Sequence, residues 1–282
     1  MVNINGTIFE NDANRLSLEN RGYKFGDALF ETIKVVQNRI LFWEDHYFRL
    51  MASMRILRME IPMTFTMEFL EKEILKTLNA NNLSSSTTRV RFNIDRGEGG
   101  KYHPEKQKIN YSIITEKIKN DVYTVNDNLN YSVDLFKDYF VAPGLLSTLK
   151  TNNKIINVLG SIYANENGLD NCLLLNTNKN VVEALNGNLF LVHGATIKTP
   201  PLGDGCLKGI MRKQTMELIK SSDGYEILEE SVSAFELQKA DEVFITNVIQ
   251  GIQPVSTYRK KTYGSKVSKD LVQKLNVKLQ LI

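Results

Sequence analysis

The apolar residues of the first third of the chain recur with two different periods, one typical of strands and one typical of helices. Residues 4–9 and 33–42 alternate or run apolar, as strands near a sheet edge do. Residues 44–58 are apolar at every third or fourth position, which predicts a helix, and Pro62 lies just beyond its end. The helical stripe consists of Tyr47, Leu50, Met54 and Leu57.

A second helix and two further strands follow the first helix. Residues 67–78 are again apolar at helical spacing, and Thr64 or Thr66 is available as an N-cap. Its stripe consists of Leu70, Ile74 and Leu78. Residues 90–94 and 109–114 alternate between apolar and polar side chains, which predicts two strands.

Two polar stretches interrupt this regular pattern. Residues 95–104, between the two predicted strands, form a glycine-rich loop of the kind that can line a site. Residues 116–121 are polar and charged, and we interpret them as a linker. The expected organisation is an N-terminal domain of residues 1–115 and a C-terminal domain of residues 122–282.

The second half of the chain alternates helix and strand patterns. Helices are predicted at about 154–167, 209–221 and 265–278, with short strands between them. The strands are expected at 171–175, 188–192, 225–229 and 242–246. This mixture predicts an α/β (α+β) protein in two parts, without fixing the order of strands in its sheets.

Composition excludes several classes of protein. The chain has 282 residues, of which 42% are apolar and 24% charged, as is ordinary for a globular protein. A net charge of +3 is too small to indicate binding to nucleic acid or to a membrane surface. The N-terminus does not resemble a signal peptide, and no apolar run approaches the ~20 residues that span a bilayer.

The two cysteines indicate a reducing compartment. Cys172 and Cys206 lack the spacing of a metal or redox motif, so we expect free thiols. A cytoplasmic protein without a metal site is therefore the expectation.

Seven segments with chemically useful side chains stand in a fixed order along the chain. They are Asn20–Lys34, His46–Leu50, Leu145–Asn153 with Lys150, Asn178–Phe190 with Glu183, Thr199–Leu202, Leu207–Arg212 and Ala240–Val248. In this order they resemble the class IV aminotransferases, which are fold-type-IV enzymes that use pyridoxal 5′-phosphate (PLP). The resemblance extends from Asn5 to about Val255 and implies the two-domain fold of the D-amino-acid aminotransferases.

The resemblance implies a role for three residues in cofactor binding. Lys150 would carry PLP as a Schiff base and would be the catalytic residue. Arg49 would bind the phosphate, and Glu183 would keep the pyridine nitrogen protonated. Further cofactor contacts are expected from Gly209, Ile210, Met211, Thr246 and Asn247.

Taken one by one, these residues have simpler interpretations. Lys154, only four residues after Lys150, is an alternative candidate for the Schiff-base lysine. We choose Lys150 because the residues that follow match the family pattern when the lysine is placed there. A helical arginine such as Arg49 is more often a solvated surface group. Glu183 could be an ordinary turn acid, and we expect His46 to be a structural partner rather than a base.

The reaction is less clearly indicated than the cofactor. The family contains branched-chain aminotransferases, D-amino-acid aminotransferases and aminodeoxychorismate lyases, and we expect the substrate to contact Phe30, Lys34, Lys101 and His103. Lys101 stands where D-amino-acid enzymes have an arginine. A lysine there cannot make the bidentate hydrogen bonds that an arginine makes to a carboxylate. Residues 96–100 and 209–212 instead look like the lyase group.

We place transamination first, between an amino acid of branched-chain type and a 2-oxo acid, through a lysine Schiff base and a 1,3-proton shift. The alternative is a 4-amino-4-deoxychorismate lyase that releases pyruvate and 4-aminobenzoate. A non-catalytic relative with the same fold is a remote third possibility. The expected partners are small amino and oxo acids and a second copy of the chain, since the family forms homodimers.

Overall fold

The computed structural model describes residues 1–10, 17–125 and 130–281. The chain forms two compact units. The first unit comprises residues 1–121 together with residues 150–153, and the second comprises the remainder.

The first unit consists of an antiparallel sheet and the helices that pack against it. Its strands are β1 (Val2–Ile4), β2 (Thr7–Phe9), β3 (Ala28–Val36), β4 (Arg39–Ile40), β5 (Thr87–Arg96) and β6 (Ile109–Lys117). Their order in the sheet is β2-β1-β6-β5-β3-β4. The helices are α1 (Arg21–Phe25), α2 (Trp43–Ile56) and α3 (Met67–Ala80).

The helices α2 and α3 confirm the prediction from helical spacing. The stripe residues Leu50, Met54, Leu70 and Ile74 are all buried. Helix α2 packs against β3, and α3 packs against β6. The Thr66 hydroxyl caps α3 by accepting a hydrogen bond from the Phe69 N–H.

Two predicted strands of this unit are in fact hairpins. Residues 4–9 turn at Asn5 and Gly6, and residues 33–42 turn at Gln37 and Asn38. All four turn residues have positive φ, which closes a tight hairpin between the strands on either side.

The second unit is a larger mixed sheet. Its strands are β7 (Ser132–Val141), β8 (Asn171–Asn176), β9 (Val181–Ala184), β10 (Gly187–His193), β11 (Thr196–Thr199), β12 (Glu226–Glu229), β13 (Glu242–Asn247), β14 (Gly251–Pro254), β15 (Thr257–Tyr258) and β16 (Lys261–Thr262). They run in the order β12-β11-β10-β9-β8-β7-β15-β16, while β13 pairs with β10 and β14. The helices are α4 (Ile155–Glu166), α5 (Ile210–Lys220), α6 (Ala234–Lys239) and α7 (Lys266–Lys278).

The helices predicted in this half are confirmed as α4, α5 and α7, while strand β7 was not predicted. The pairing of β7 with β8 is irregular between Phe136 and Val141. Such an irregularity breaks the period-two alternation that marks a strand in the sequence.

Two details of the expected organisation need correction. Glu116 and Lys117, which we placed in the linker, are the last residues of β6 and pair with β5. Residues 150–153, which we placed in the C-terminal domain, belong to the first unit because their backbone pairs with β3. Among the described residues, no helix is long and apolar enough to cross a bilayer.

Candidate active site

Lys150 is held on the edge of β3 by backbone hydrogen bonds. The Phe30 N–H donates to the Lys150 carbonyl at 2.9 Å, and the Asn152 N–H donates to the Ala28 carbonyl at 3.0 Å. Between them, Thr151 pairs with Leu29 in an antiparallel bridge. The Lys150 ammonium nitrogen lies 4.5 Å from the centre of the Phe30 ring, so the backbone register of β3 sets where this amine lies.

Gly26 makes room for this segment. It ends α1 with a φ of 65°, and a Cβ there would lie 2.2 Å from the Asn153 Oδ1. The Asn153 side-chain amide donates to the Gly26 carbonyl at 3.3 Å. Gly26 is therefore needed both for its backbone conformation and for the close approach of Asn153.

Arg49 and His46 both bind the carboxylate of Glu31, which is buried beneath α2. Glu31 Oε1 accepts from Arg49 Nε at 2.8 Å, and Glu31 Oε2 accepts from His46 Nδ1 at 2.7 Å and from Arg49 Nη2. Because this carboxylate grips two nitrogens of the guanidinium, it fixes the orientation of Arg49. His46 is thus a structural partner, as expected.

Burial and charge act in opposite directions on this network. Burial raises the pKa of Glu31, but the Arg49 charge and the hydrogen bonds from His46 and Arg49 outweigh it and lower the pKa to about 2. Burial lowers the pKa of His46 despite its bond to Glu31. A neutral His46 that donates from Nδ1 leaves Nε2 as an acceptor, and within the described residues Nε2 has no hydrogen-bond partner.

Phe30 and Lys34 lie on the opposite face of β3 from Glu31, since side chains alternate along a strand. Lys34 is 1% exposed, and burial lowers its pKa to about 8 while Asp121 acts in the other direction. Arg91, which pairs with Thr32 across β3 and β5, places its guanidinium 3.9 Å from the centre of the Phe30 ring. The structure therefore brings Phe30, Lys150 and Arg91 together.

We did not predict that Arg91 would lie beside Phe30. Its only sequence signal is a charged position in an alternating strand, which describes a solvated face equally well. The other predicted substrate residues, Lys101 and His103, are exposed on the loop between β5 and β6.

In the second unit, Glu183 and Asn188 hold the segment that precedes α5. They face each other across β9 and β10. Glu183 Oε2 accepts from the Leu207 N–H at 2.9 Å, and the Asn188 side-chain amide donates to the Leu207 carbonyl at 2.8 Å. Both backbone groups of Leu207 are thereby fixed, a role for Asn188 that the sequence did not reveal.

The N-terminus of α5 has the geometry of an anion site. Gly209 is the N-cap and makes no side-chain cap, and a Cβ there would lie 1.9 Å from the Asn188 Oδ1. The N–H groups of Ile210 and Met211, in the first turn, have no acceptor inside the helix. The Met211 side chain is 1% exposed, so it is part of the core.

Thr246 and Asn247 end β13 and differ in how they are engaged. The Asn247 Oδ1 accepts from the N–H groups of Ile249 and Gln250 at 3.1 and 2.9 Å, so this side chain shapes its own turn. The Thr246 hydroxyl is buried and has no hydrogen-bond partner among the described residues. Of the two, Thr246 has the side chain with unused hydrogen-bonding capacity.

No cluster of three or more histidine, cysteine or acidic side chains suited to a metal ion occurs in the described ranges. The buried thiols of Cys172 and Cys206 are free. Burial raises their pKa values to about 11 and about 12, so neither is a reactive thiolate near neutral pH.

Comparison with known proteins gives a consistent result. The family model described as "Amino-transferase class IV" matches residues 28–258. A Methanocaldococcus jannaschii protein, whose name proposes branched-chain-amino-acid aminotransferase activity, is 28% identical over 99% of this chain and 95% of its own. The branched-chain aminotransferase structure from Thermoproteus uzoniensis superposes with a TM-score of 0.87 at 20% identity, covering 99% of this chain and 94% of that one. The 4-amino-4-deoxychorismate lyase structure from Pseudomonas aeruginosa has a TM-score of 0.83 at 26% identity and covers 99% of both chains.

Proposed function

The chain belongs to the class IV aminotransferase family, and on this premise we propose that it is a PLP-dependent aminotransferase. Its substrates would be an amino acid and a 2-oxo acid acceptor. The observation that carries the proposal is the placement of Lys150, whose backbone is bonded to β3 and whose amine lies beside Phe30.

The residues present fit the cofactor. A phosphate needs backbone N–H groups and hydroxyl donors, and α5 offers an N-terminus that begins at Gly209 and is not capped by a side chain. The buried Thr246 hydroxyl, which lacks a partner in the described structure, is a second polar group suited to a ligand. When bound, PLP supplies an aldehyde that bonds to an amine and a ring that draws electrons away from the substrate Cα.

Each of the remaining residues then has a defined task. Lys150 would hold the cofactor through its amine and would move the proton of the substrate Cα. Glu183, oriented by the Leu207 N–H, would face the ring nitrogen and favour its protonated form. Arg49, oriented by Glu31, would bind the phosphate.

The decisive experiment compares Lys150→Ala with Lys154→Ala. Loaded with PLP and reduced with borohydride, the wild-type protein should carry the cofactor mass on Lys150. Lys150→Ala should lose both this label and glutamate formation from 2-oxoglutarate and single amino acids. Lys154→Ala is the matched control and should keep both.

Two results would contradict the proposed function. A label on Lys154 would show that the wrong lysine has been chosen. Formation of 4-aminobenzoate and pyruvate from aminodeoxychorismate, without glutamate formation from any amino acid, would identify a lyase instead.

We also propose that the enzyme is a homodimer, as was expected from the family. Helix α4 exposes an apolar stripe of Ile155, Val158 and Ile162 that are 66%, 51% and 50% exposed. Leu145 and Leu146 add to the exposed apolar surface of the same unit. Solvent contact of several large apolar side chains on one helix face is unfavourable, and a partner surface would relieve it.

Light scattering tests this proposal. The wild type should be dimeric, and Val158→Lys should shift it to a monomer because a lysine would be desolvated in the interface. Val277→Lys is the matched control, since Val277 is 59% exposed and belongs to a different helix, α7. A dimer that survives Val158→Lys as well as Val277→Lys would exclude α4 as the interface.

We also propose a cytoplasmic location. The two cysteines are buried and form no disulfide, which supports a reducing compartment.

A further inference from the structure

The guanidinium of Arg21 lies inside a curl of the loop between β5 and β6. Its Nη1 donates to the carbonyls of Gly99 and Lys101 at 3.0 and 2.6 Å, and its Nη2 donates to the Tyr102 carbonyl at 3.3 Å. Nε donates to Asp27 at 2.9 Å. Arg21 is 3% exposed, and four of the five donors of its guanidinium are used, three of them on one loop.

The loop backbone is shaped to turn these carbonyls inward. Gly99 and Gly100 have φ values of 103° and 74°, and a Cβ on Gly100 would lie 2.2 Å from the His103 carbonyl oxygen. Carbonyl dipoles that converge on one point repel each other unless a cation or water lies between them. Arg21 supplies that cation, so the curl depends on it.

A neighbouring arginine provides an internal comparison. Arg96 also bonds to Asp27 at 2.9 Å, but its other nitrogens donate to the carbonyls of Leu57 and Arg58 at 2.6 and 3.1 Å and to the side-chain oxygen of Gln107. Arg96 therefore secures the end of α2 and the part of the loop nearest β6, whereas Arg21 binds the loop backbone between Gly99 and Tyr102. Both are buried and share one carboxylate, so loss of either should affect overall stability similarly.

We propose that Arg21 is a positioning residue for substrate recognition. By fixing the backbone at Gly99, Lys101 and Tyr102, it sets where the side chains of Lys101 and His103 project. The inference rests on the proposed function, in which Lys101 and His103 meet the substrate. Arg21 itself would touch neither substrate nor cofactor.

Hydrogen exchange tests whether Arg21 fixes the loop between β5 and β6, which we call the Arg21 clamp, and it needs no turnover. Arg21→Lys keeps the charge but loses the planar fork, so the amides of residues 97–103 should exchange about tenfold faster. Arg96→Lys should leave these amides near the wild-type rate while lowering thermal stability by a similar amount. Equal protection of residues 97–103 in wild type and Arg21→Lys would overturn the proposal.

Kinetics tests the consequence for substrate. Arg21→Lys should raise KM for the substrate about five- to tenfold with little change in kcat, and PLP affinity should be unchanged. In a Lys101→Ala background, Arg21→Lys should add little to KM, because its effect passes through the loop. Fully additive effects, or a loosened loop with an unchanged KM, would overturn the positioning role.

A second variant covers the case in which Arg21→Lys does not fold. Gly100→Ala distorts the curl from the side of the loop and leaves Arg21 intact, and it should raise exchange and KM in the same way. Wild-type exchange and KM in Gly100→Ala would count against the clamp. A wild-type protein with no activity on any substrate would refute the proposed function, and the exchange measurement would then decide the clamp alone.

Discussion

Replacing Gly26 with alanine should destabilise the protein through two separable effects. The φ of 65° at this position costs a non-glycine residue about 1–2 kcal/mol. The new Cβ would also lie 2.2 Å from the Asn153 Oδ1. Asn153 is exposed and can rotate away, which loses its 3.3 Å hydrogen bond to the Gly26 carbonyl, worth about 0.5–1 kcal/mol. The expected total is about 1.5–3 kcal/mol.

A double-mutant cycle separates the two effects. Free energies of unfolding are measured by urea denaturation of the PLP-free wild type, Gly26→Ala, Asn153→Ala and the double variant. Asn153→Ala alone should cost about 0.5–1 kcal/mol, and Gly26→Ala added to it should cost only the strain of about 1–2 kcal/mol. The magnitude of the coupling energy should therefore be about 0.5–1 kcal/mol, since both single variants lose the same hydrogen bond.

Gly168 supplies the matched control for strain alone. Its φ is 62° and no heavy atom lies within 4 Å of a Cβ built there, so Gly168→Ala should show the strain without the collision. Additive costs in the cycle would show that Asn153 does not contact Gly26. A cost of Gly26→Ala below that of Gly168→Ala would refute the described packing around Lys150.

Three further outcomes follow from the site. Gly209→Ala should weaken PLP binding at least tenfold in absorbance titrations, because its Cβ would collide with Asn188, whereas Gly203→Ala, with open space around it, should bind normally. Thr246→Val should raise the Kd for PLP about five- to tenfold if the buried hydroxyl binds the phosphate, and an unchanged Kd would assign it no such role. Burial lowers the pKa of Lys34 from 10.5 to about 8, so protonation favours the unfolded chain. The free energy of unfolding of the wild type should then rise by roughly 1–3 kcal/mol relative to that of Lys34→Met between about pH 8 and about pH 10.5. Free energies of unfolding that change in parallel with pH in the two proteins would contradict this.

The sequence predicted α2 and α3 because each buries one regular apolar stripe. It did not predict the hairpin at Gln37 and Asn38, because we interpreted residues 33–42 as one strand and gave no weight to the polar residues in its middle. Short elements such as α1 were also missed. In α1 the Asn20 side chain accepts from the Tyr23 N–H, a local capping contact with no apolar period to announce it.

The residues of the candidate site also differ in how far the sequence could predict them. Lys150, Arg49 and Glu183 could be proposed from the sequence because a family pattern fixes their order along the chain. The contacts of Asn188 and Arg21 were not predicted, because they depend on partners that only the fold supplies. Arg21, for example, binds carbonyl groups 78 to 81 residues away, and no local pattern encodes that distance.

Strand β3 explains why the register of this unit matters for chemistry. Successive side chains point to opposite faces, so Glu31 lies under α2 with His46 and Arg49 while Phe30 faces Lys150. A slip of one residue would turn the Glu31 carboxylate away from Arg49 and Phe30 away from Lys150. Nine paired residues between β3 and β5 oppose such a slip on one edge. On the other edge, residues 150–153 pair with the start of β3, so the segment that carries the lysine also helps to hold the strand in register.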